Sequence, residues 1–257
     1  MSDYNLQKTI PALERSLAFF RPHHLELRNR LVKVMAAIVT CSVVAYIFIE
    51  QIAQLFISPL IAANPLVGKL VYTNLPEAFV TYIKLALIIG LLASFPVILY
   101  QLWLFVAPGL RKNEKRLAVT VVFWSSILFA GGASFAFLVV LPKMLIYFTS
   151  YANEGLEPLP KLGLYLTFVA RMILTFGISF QIPFLMVMSG KANLVTASYF
   201  RSKRIYFYMA IVFLSFLLAA GDFMATALLA LPLFALYEVG IFLSSLFNRK
   251  KEQTSEA

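Results

Sequence analysis

Charge and reactive chemistry are scarce in this chain. Of 257 residues only 13% are charged, 22 of them basic and 12 acidic, with one cysteine and two histidines. Cys41 lies inside an apolar run, so a disulfide framework is excluded and the thiol reads as a small packing group. His23 and His24 are adjacent, which gives no spaced pair to ligate a metal with a third group. Neither a Walker loop nor a G-x-S-x-G nucleophile elbow occurs. An intramembrane enzyme has little to stand on, and no catalytic residue, metal or cofactor is expected. Repeats of roughly 20–50 residues are missing too. No two halves show matched broken helices, which weakens an inverted-repeat transporter reading.

What the chain has is apolar length. Hydrophobic residues make up 61% of it and mean hydropathy is +0.83, against about half apolar in soluble domains. A spanning helix needs about 20 mostly apolar residues. Six stretches qualify or nearly do: 31–52, 80–106, 117–141, 163–189, 205–220 and 223–245. No charge stands between Lys84 and Arg111 or between Arg116 and Lys143, which secures the second and third. The fifth is short, with about 17 residues between Arg204 and Asp222. Spans five and six are then two short crossings in thinned lipid or a re-entrant hairpin. Two crossings are favoured, because both ends of the pair carry cation clusters and belong on one side. The fold class is all-α: a polytopic membrane protein of six transmembrane helices. It reads as one domain over 1–257, with a polar N-terminal segment 1–30, a bundle over about 31–245 and a polar tail 246–257.

The net charge of +10 sits in short clusters between apolar runs, which is membrane topology rather than a nucleic-acid surface. Lys8, Arg15, Arg21, Arg28, Arg30 and Lys33 precede or open the first span. Arg111, Lys112, Lys115 and Arg116 follow the second, Lys191, Arg201, Lys203 and Arg204 the fourth, and Arg249, Lys250 and Lys251 the sixth. Those are 17 of the 22 cations, all on one side; the opposite loops hold Lys69, Lys143 and Lys161, with Lys84 and Arg171 inside spans. The positive-inside rule makes both termini cytoplasmic. The polar N-terminus predicts no cleavable signal peptide, the first span serving as an uncleaved insertion signal. On the far side, 53–79 contains Pro59, Pro65 and Pro76, and LFISPLI reads as the start of a short interfacial helix. Residues 142–162 contain Pro142, Gly155, Pro158 and Pro160. These loops read either as structured caps or as irregular connections.

Two carboxylates stand among the cations of the cytoplasmic side. Glu26 lies in HHLELRNRL, where helical spacing pairs it with Arg30 at i, i+4. Glu114 lies in PVILYQLWLFVAPGLRKNEKR (Pro96 to Arg116), in a tight turn that follows the break at Pro108-Gly109, with Trp103 and Phe105 near the headgroup layer. In the plain reading both carboxylates only offset charge. In the functional reading they offer acceptors to guanidinium groups, which a carboxylate binds bidentately as it cannot bind lysine.

The spacing P-x-x-x-Y-Q-x-W-x-F-x-x-P-G-L-x-x-x-E-K-R resembles the signature of the TatC family, the signal-receptor subunits of the twin-arginine protein translocase. HHLELRNRL is similar to that family's H-L-x-E-L-R-x-R-L, with His23, Glu26, Leu27, Arg28, Arg30 and Leu31 on matching positions and His24 in place of a leucine. LPEAFVTYIKLA (Leu75 to Ala86), FGISFQIP (Phe176 to Pro183) and ALPLFALYEVGIF (Ala230 to Phe242) resemble the second, fourth and sixth spans. The likeness covers about residues 20–246. It implies binding of twin-arginine signal peptides of folded proteins, and their export with the single-span partners TatA and TatB, or a bifunctional TatA, on the proton-motive force. It also implies a bacterial inner-membrane location, self-association within the complex, no cofactor and no nucleic acid. By the same resemblance Glu26, Glu114 and Phe105 belong to the signal-peptide site, with Arg28 beside them on a matching motif position, and Pro59 and Asp222 are candidates for structural or partner contacts on the far side; Gln181 and Glu238 are read as such contacts from their own residues.

This chain departs from the family pattern at three further places. Asp222 follows Ala219-Ala220-Gly221 where many members have a Thr-Pro turn. Phe137 stands where a tyrosine is common, and Gln181 where some members have glutamate. Gln181 in mid-span reads as a helix–helix hydrogen bond or as a contact for a partner's polar group. Glu238 partners a helix end or a subunit. Arg171 snorkels towards the outer interface, or meets a partner carboxylate. The competing function is a secondary transporter or channel for a small solute; a purely structural anchor is the third.

Overall fold

The computed structural model describes residues 26–63, 70–106, 112–150, 159–191, 195–219 and 221–255. His23, His24, Pro65, Pro108, Gly109, Gly155 and Pro158 lie outside the described residues. Within them the chain is helical, with one isolated parallel bridge between Val71 and Lys161.

The first helix, α1, runs Glu26–Ile47. A one-residue turn at Phe48 leads into α2, Ile49–Ala63. The first span was expected over 31–52, with a short helix beginning near Leu55; the first span instead stops at Ile47 and the second helix takes in Glu50, Gln51 and Gln54. These polar groups do not belong in hydrocarbon, and Glu50 sits in the first turn of α2, where the helix dipole favours an anion. The apolar face Ile49, Ala53, Phe56 and Leu60 is buried, with helical spacing. Pro59 sits inside α2 and cannot donate to the carbonyl of Leu55 four residues back. Ser58 Oγ takes over that acceptor at 2.8 Å. The helix therefore continues through its proline.

The second long helix, α3, spans Glu77–Val106 and carries Pro96. Next, α4 (Lys112–Phe135) passes through a π-helical turn at Ala136–Val140 into α5 (Leu141–Thr149) without a break. The third span had been bounded at 141 with a loop after it; the helix in fact continues to Thr149. The π turn lies just before Pro142, whose missing N–H and ring disturb the regular ladder.

The fourth span divides in two. α6 (Leu162–Ser179) and α7 (Gln181–Lys191) join at Phe180, three residues before Pro183. That proline cannot bond Ser179, yet in the first turn of α7 its lack of a donor is harmless. The short α8 (Ala197–Ser202) leads to α9 (Arg204–Leu218) and then α10 (Phe223–Ser255), which extends helix into the polar tail expected from 246.

α6 occupies the centre, touching α2, α3, α4, α7 and α9. Its Val169, Ala170, Met172 and Phe176 are fully buried. Tyr165, also buried, donates its hydroxyl to the carbonyl of Phe56 at 2.8 Å and so fastens α2 to α6. The same core continues between α8, α9 and α10 around Tyr237, whose ring stacks on Phe207 at 4.9 Å and whose hydroxyl donates to Phe200 O at 2.9 Å. On the outside, large apolar side chains such as Ile47, Phe123, Leu138, Leu185 and Phe242 are exposed. A surface of that kind suits acyl chains, not water.

Five helical stretches among the described residues are long and apolar enough to cross a membrane: Glu26–Ile47, Glu77–Phe105, Val119–Thr149, Leu162–Gly190 and Phe223–Leu246. α9, with 15 residues, is about 22 Å long, short of the roughly 30 Å hydrocarbon core.

Candidate functional site

α1 and α3 are brought together by one small residue. A Cβ at Gly90 would collide with Ser42 Oγ and lie 2.6 Å from the Ser42 backbone nitrogen. Only glycine admits that approach. Away from this contact α1 leads back to Glu26 while α3 leads on to Phe105, and a groove of about 590 Å³ opens between their ends. Glu26, Asn29, Arg30 and Lys33 line it from α1, and Tyr100, Gln101 and Leu104 from α3.

Arg30 pairs with Glu26 one turn earlier, as the i, i+4 spacing predicts, through Nη2 to Oε1. Arg30 Nε is buried and finds no acceptor among the described residues. The guanidinium is thus incompletely satisfied by its partner. The Glu26 side chain is 37% exposed and that of Arg30 17%, so the carboxylate is the accessible member of the pair. Arg28 is exposed and does not line the groove. Phe105 is half-buried on the last turn of α3, next to Leu104 of the groove wall. The side chain of Glu114 lies outside the described residues; its backbone is the third residue of α4. Asn29, Lys33, Tyr100 and Gln101 were not singled out from the sequence. Tyr100-Gln101, a polar pair ending an apolar span, was the available signal.

The remaining candidates sit elsewhere, and Gln181 and Glu238 each hold helices together. Gln181 is 6% exposed. Its Nε2 donates to Ser125 O at 3.0 Å, and Ser125 Oγ donates back to Gln181 Oε1. The amide thus pins the α6–α7 joint to α4. Glu238 accepts from Arg204 at 2.6 Å and from the Tyr208 hydroxyl, joining α10 to α9. Pro59 is half-buried in α2, distant in sequence and element from the groove. Among the described residues no group of three His, Cys, Asp or Glu side chains could hold a metal.

Comparison with known proteins decides the family. Residues 22–232 match the TatC family model, described as Sec-independent protein translocase protein (TatC). The Sec-independent protein translocase protein TatC of Desulforapulum autotrophicum is 34% identical over 92% of this chain and 88% of its own. The Escherichia coli K12 protein of the same name is 34% identical over 91% of both chains. A crystal structure of a twin-arginine translocase receptor, TatC, superposes with a TM-score of 0.79 at 32% identity, covering 88% of this chain and 99% of the other. The chain belongs to the TatC family.

The TatC match takes in Glu26, Arg28, Pro59, Phe105, Glu114, Gln181 and Asp222, and ends before Glu238. Asp222, where this TatC lacks the Thr-Pro turn, has a defined geometry of its own. Gly221 adopts φ +88°, a left-handed conformation that glycine takes without strain. Asp222 then caps α10, its Oδ1 accepting from Ala225 N–H at 2.6 Å and from the Tyr147 hydroxyl at 3.2 Å. Glycine thus makes the turn in place of proline.

Proposed function

We propose that this TatC chain is the receptor subunit for twin-arginine signal peptides, and that the α1–α3 groove receives the arginine pair. The observation that carries this reading is Glu26 at the groove, held among the described residues by a single contact from its own helix. Arg30 Nη2 engages Glu26 Oε1, and the more exposed carboxylate keeps acceptor capacity towards the groove. A peptide guanidinium meets that carboxylate through two parallel N–H groups, a geometry that a lysine ammonium does not offer. Tyr100 and Gln101 add a hydroxyl and an amide for the second arginine, and Leu104 and Phe105 an apolar edge for residues that follow. Arg28 and Glu114 complete the cytoplasmic surface around the groove.

In this reading the chain is one membrane domain of six spans, α9 being a short crossing, with both termini in the cytoplasm and the membrane being the bacterial inner membrane. It acts without catalysis or cofactor, as scaffold for copies of itself and for single-span TatA and TatB subunits, or a bifunctional TatA. Folded cargo crosses on the proton-motive force. Pro59, Gln181, Asp222 and Glu238 shape the frame on which those partners assemble.

A photo-reactive residue at Tyr100 or Leu104 tests the placement. It should capture a twin-arginine signal peptide and lose it when the two arginines become lysines. Equal capture of both peptides counts against the groove as the reading site.

A further inference from the structure

A second groove, of about 570 Å³, lies at the other end of the molecule between the starts of α3 and α6 and the end of α9. The two helices enter side by side because the chain before each is paired: Val71 N–H donates to Pro160 O at 3.1 Å and Leu162 N–H to Val71 O at 2.9 Å. Running parallel from there, they bring Lys84 and Arg171 into one groove. Lys84 is seven residues and Arg171 nine residues past the helix starts, hence about 10 and 14 Å deep at 1.5 Å per residue.

Neither cation has an ion-pair or hydrogen-bond partner among the described residues, and both are exposed. Glu77, the one carboxylate of the groove, is already engaged: its Oε2 accepts from Thr73 N–H at 2.7 Å and from the Thr73 hydroxyl at 3.1 Å. α9 contributes only Leu217 and Leu218. Thr81 and Thr167 line the groove as well, and its apolar side chains face outwards, Leu164 being 71% exposed and Leu217 60%. Two uncompensated cations at this depth in a bilayer call for an anion that can itself reside there.

We infer that the groove is a phospholipid site, in which Lys84 and Arg171 hold the headgroup phosphate while Leu164 and Leu217 lie along the acyl chains. The ligand chemistry is a phosphate ester. A membrane lipid is its source rather than free phosphate, because the cations sit below the helix ends among side chains that suit acyl tails. The inference needs α3 and α6 to cross a bilayer and is independent of what the α1–α3 groove binds.

The test uses the full chain, purified from nanodiscs of phosphatidylethanolamine and phosphatidylglycerol, with retained lipids counted by native mass spectrometry. Wild type should keep a phospholipid that Arg171→Gln and Lys84→Gln each bind about tenfold more weakly, the loss expected from one charge-assisted contact. Arg171→Lys should keep it, and the thermal melts of all variants should match. The single variants lie on separate helices, so failure of one to fold leaves the other decisive. Equal retention by wild type and both glutamine variants overturns the inference. So does equal retention of phosphate-free diacylglycerol, displacement of the lipid by inorganic phosphate, or lipid retention untouched while Arg171 cross-links to a carboxylate-bearing span.

Discussion

Tyr147 donates its hydroxyl to Asp222 Oδ1 across 3.2 Å, so the end of α5 and the start of α10 share one carboxylate. The same oxygen caps the Ala225 amide. Asp222→Ala removes both bonds and should cost about 1–2 kcal/mol of stability. Tyr147→Phe removes one and should cost about 1 kcal/mol or less. Asp222→Asn retains an acceptor and should fall between. Thermal unfolding in detergent, compared across the three variants, checks the order.

Gln181 and Ser125 exchange two hydrogen bonds in a buried site. Gln181→Leu and Ser125→Ala should each lower stability by about 1 kcal/mol, within the range for polar contacts between membrane helices. The double variant should cost less than the sum of the two, because each single change strands the other's polar atom. Additive losses in a double-mutant cycle would show that the two side chains do not act together.

How much of this was readable from the sequence differs by element. The second and third spans announce themselves because long uncharged runs leave no other solution. The Glu26–Arg30 pair is local and follows from helical spacing alone. The Asp222–Tyr147 contact joins residues 75 apart in the chain, and nothing in either neighbourhood points to the other. The joint at Phe180 was hidden because no charge stands between Arg171 and Lys191, and a proline such as Pro183 is tolerated inside membrane helices. The extension to Thr149 was hidden for a related reason: Pro142 reads as an end, yet the π-helical turn at Ala136–Val140 just before it carries the helix past its missing donor. The groove wall at Tyr100 and Gln101 required the approach of α1 to α3, which depends on an absent Cβ at Gly90.

That approach yields its own prediction. Gly90→Ala places a methyl group against the Ser42 backbone nitrogen, 2.6 Å away, and backbone cannot rotate aside. Overpacking of this kind costs about 1–3 kcal/mol. The variant should melt lower and bind signal peptide more weakly, since the groove end depends on the same contact. Ser42→Gly removes the side-chain clash but not the backbone one and should restore stability only in part.

The Glu238–Arg204 pair should matter little by itself. Both side chains are about two-fifths exposed, at 41% and 40%, and exposed pairs contribute about 0–1 kcal/mol. Arg204→Gln should leave the melting temperature nearly unchanged, while Glu238→Leu, which also strands the Tyr208 hydroxyl, should lower it. A large loss from Arg204→Gln would assign that arginine a further role.

Equilibrium binding of a signal peptide to the purified chain in nanodiscs measures directly whether Glu26 is an arginine acceptor. The twin-arginine peptide should bind wild type at least about tenfold more tightly than its twin-lysine counterpart. Glu26→Ala, and Glu114→Ala beside it, should erase that difference by weakening the arginine peptide alone. If the two peptides bind equally, or if the preference survives both substitutions, the carboxylates only balance charge and the groove is not the receptor site.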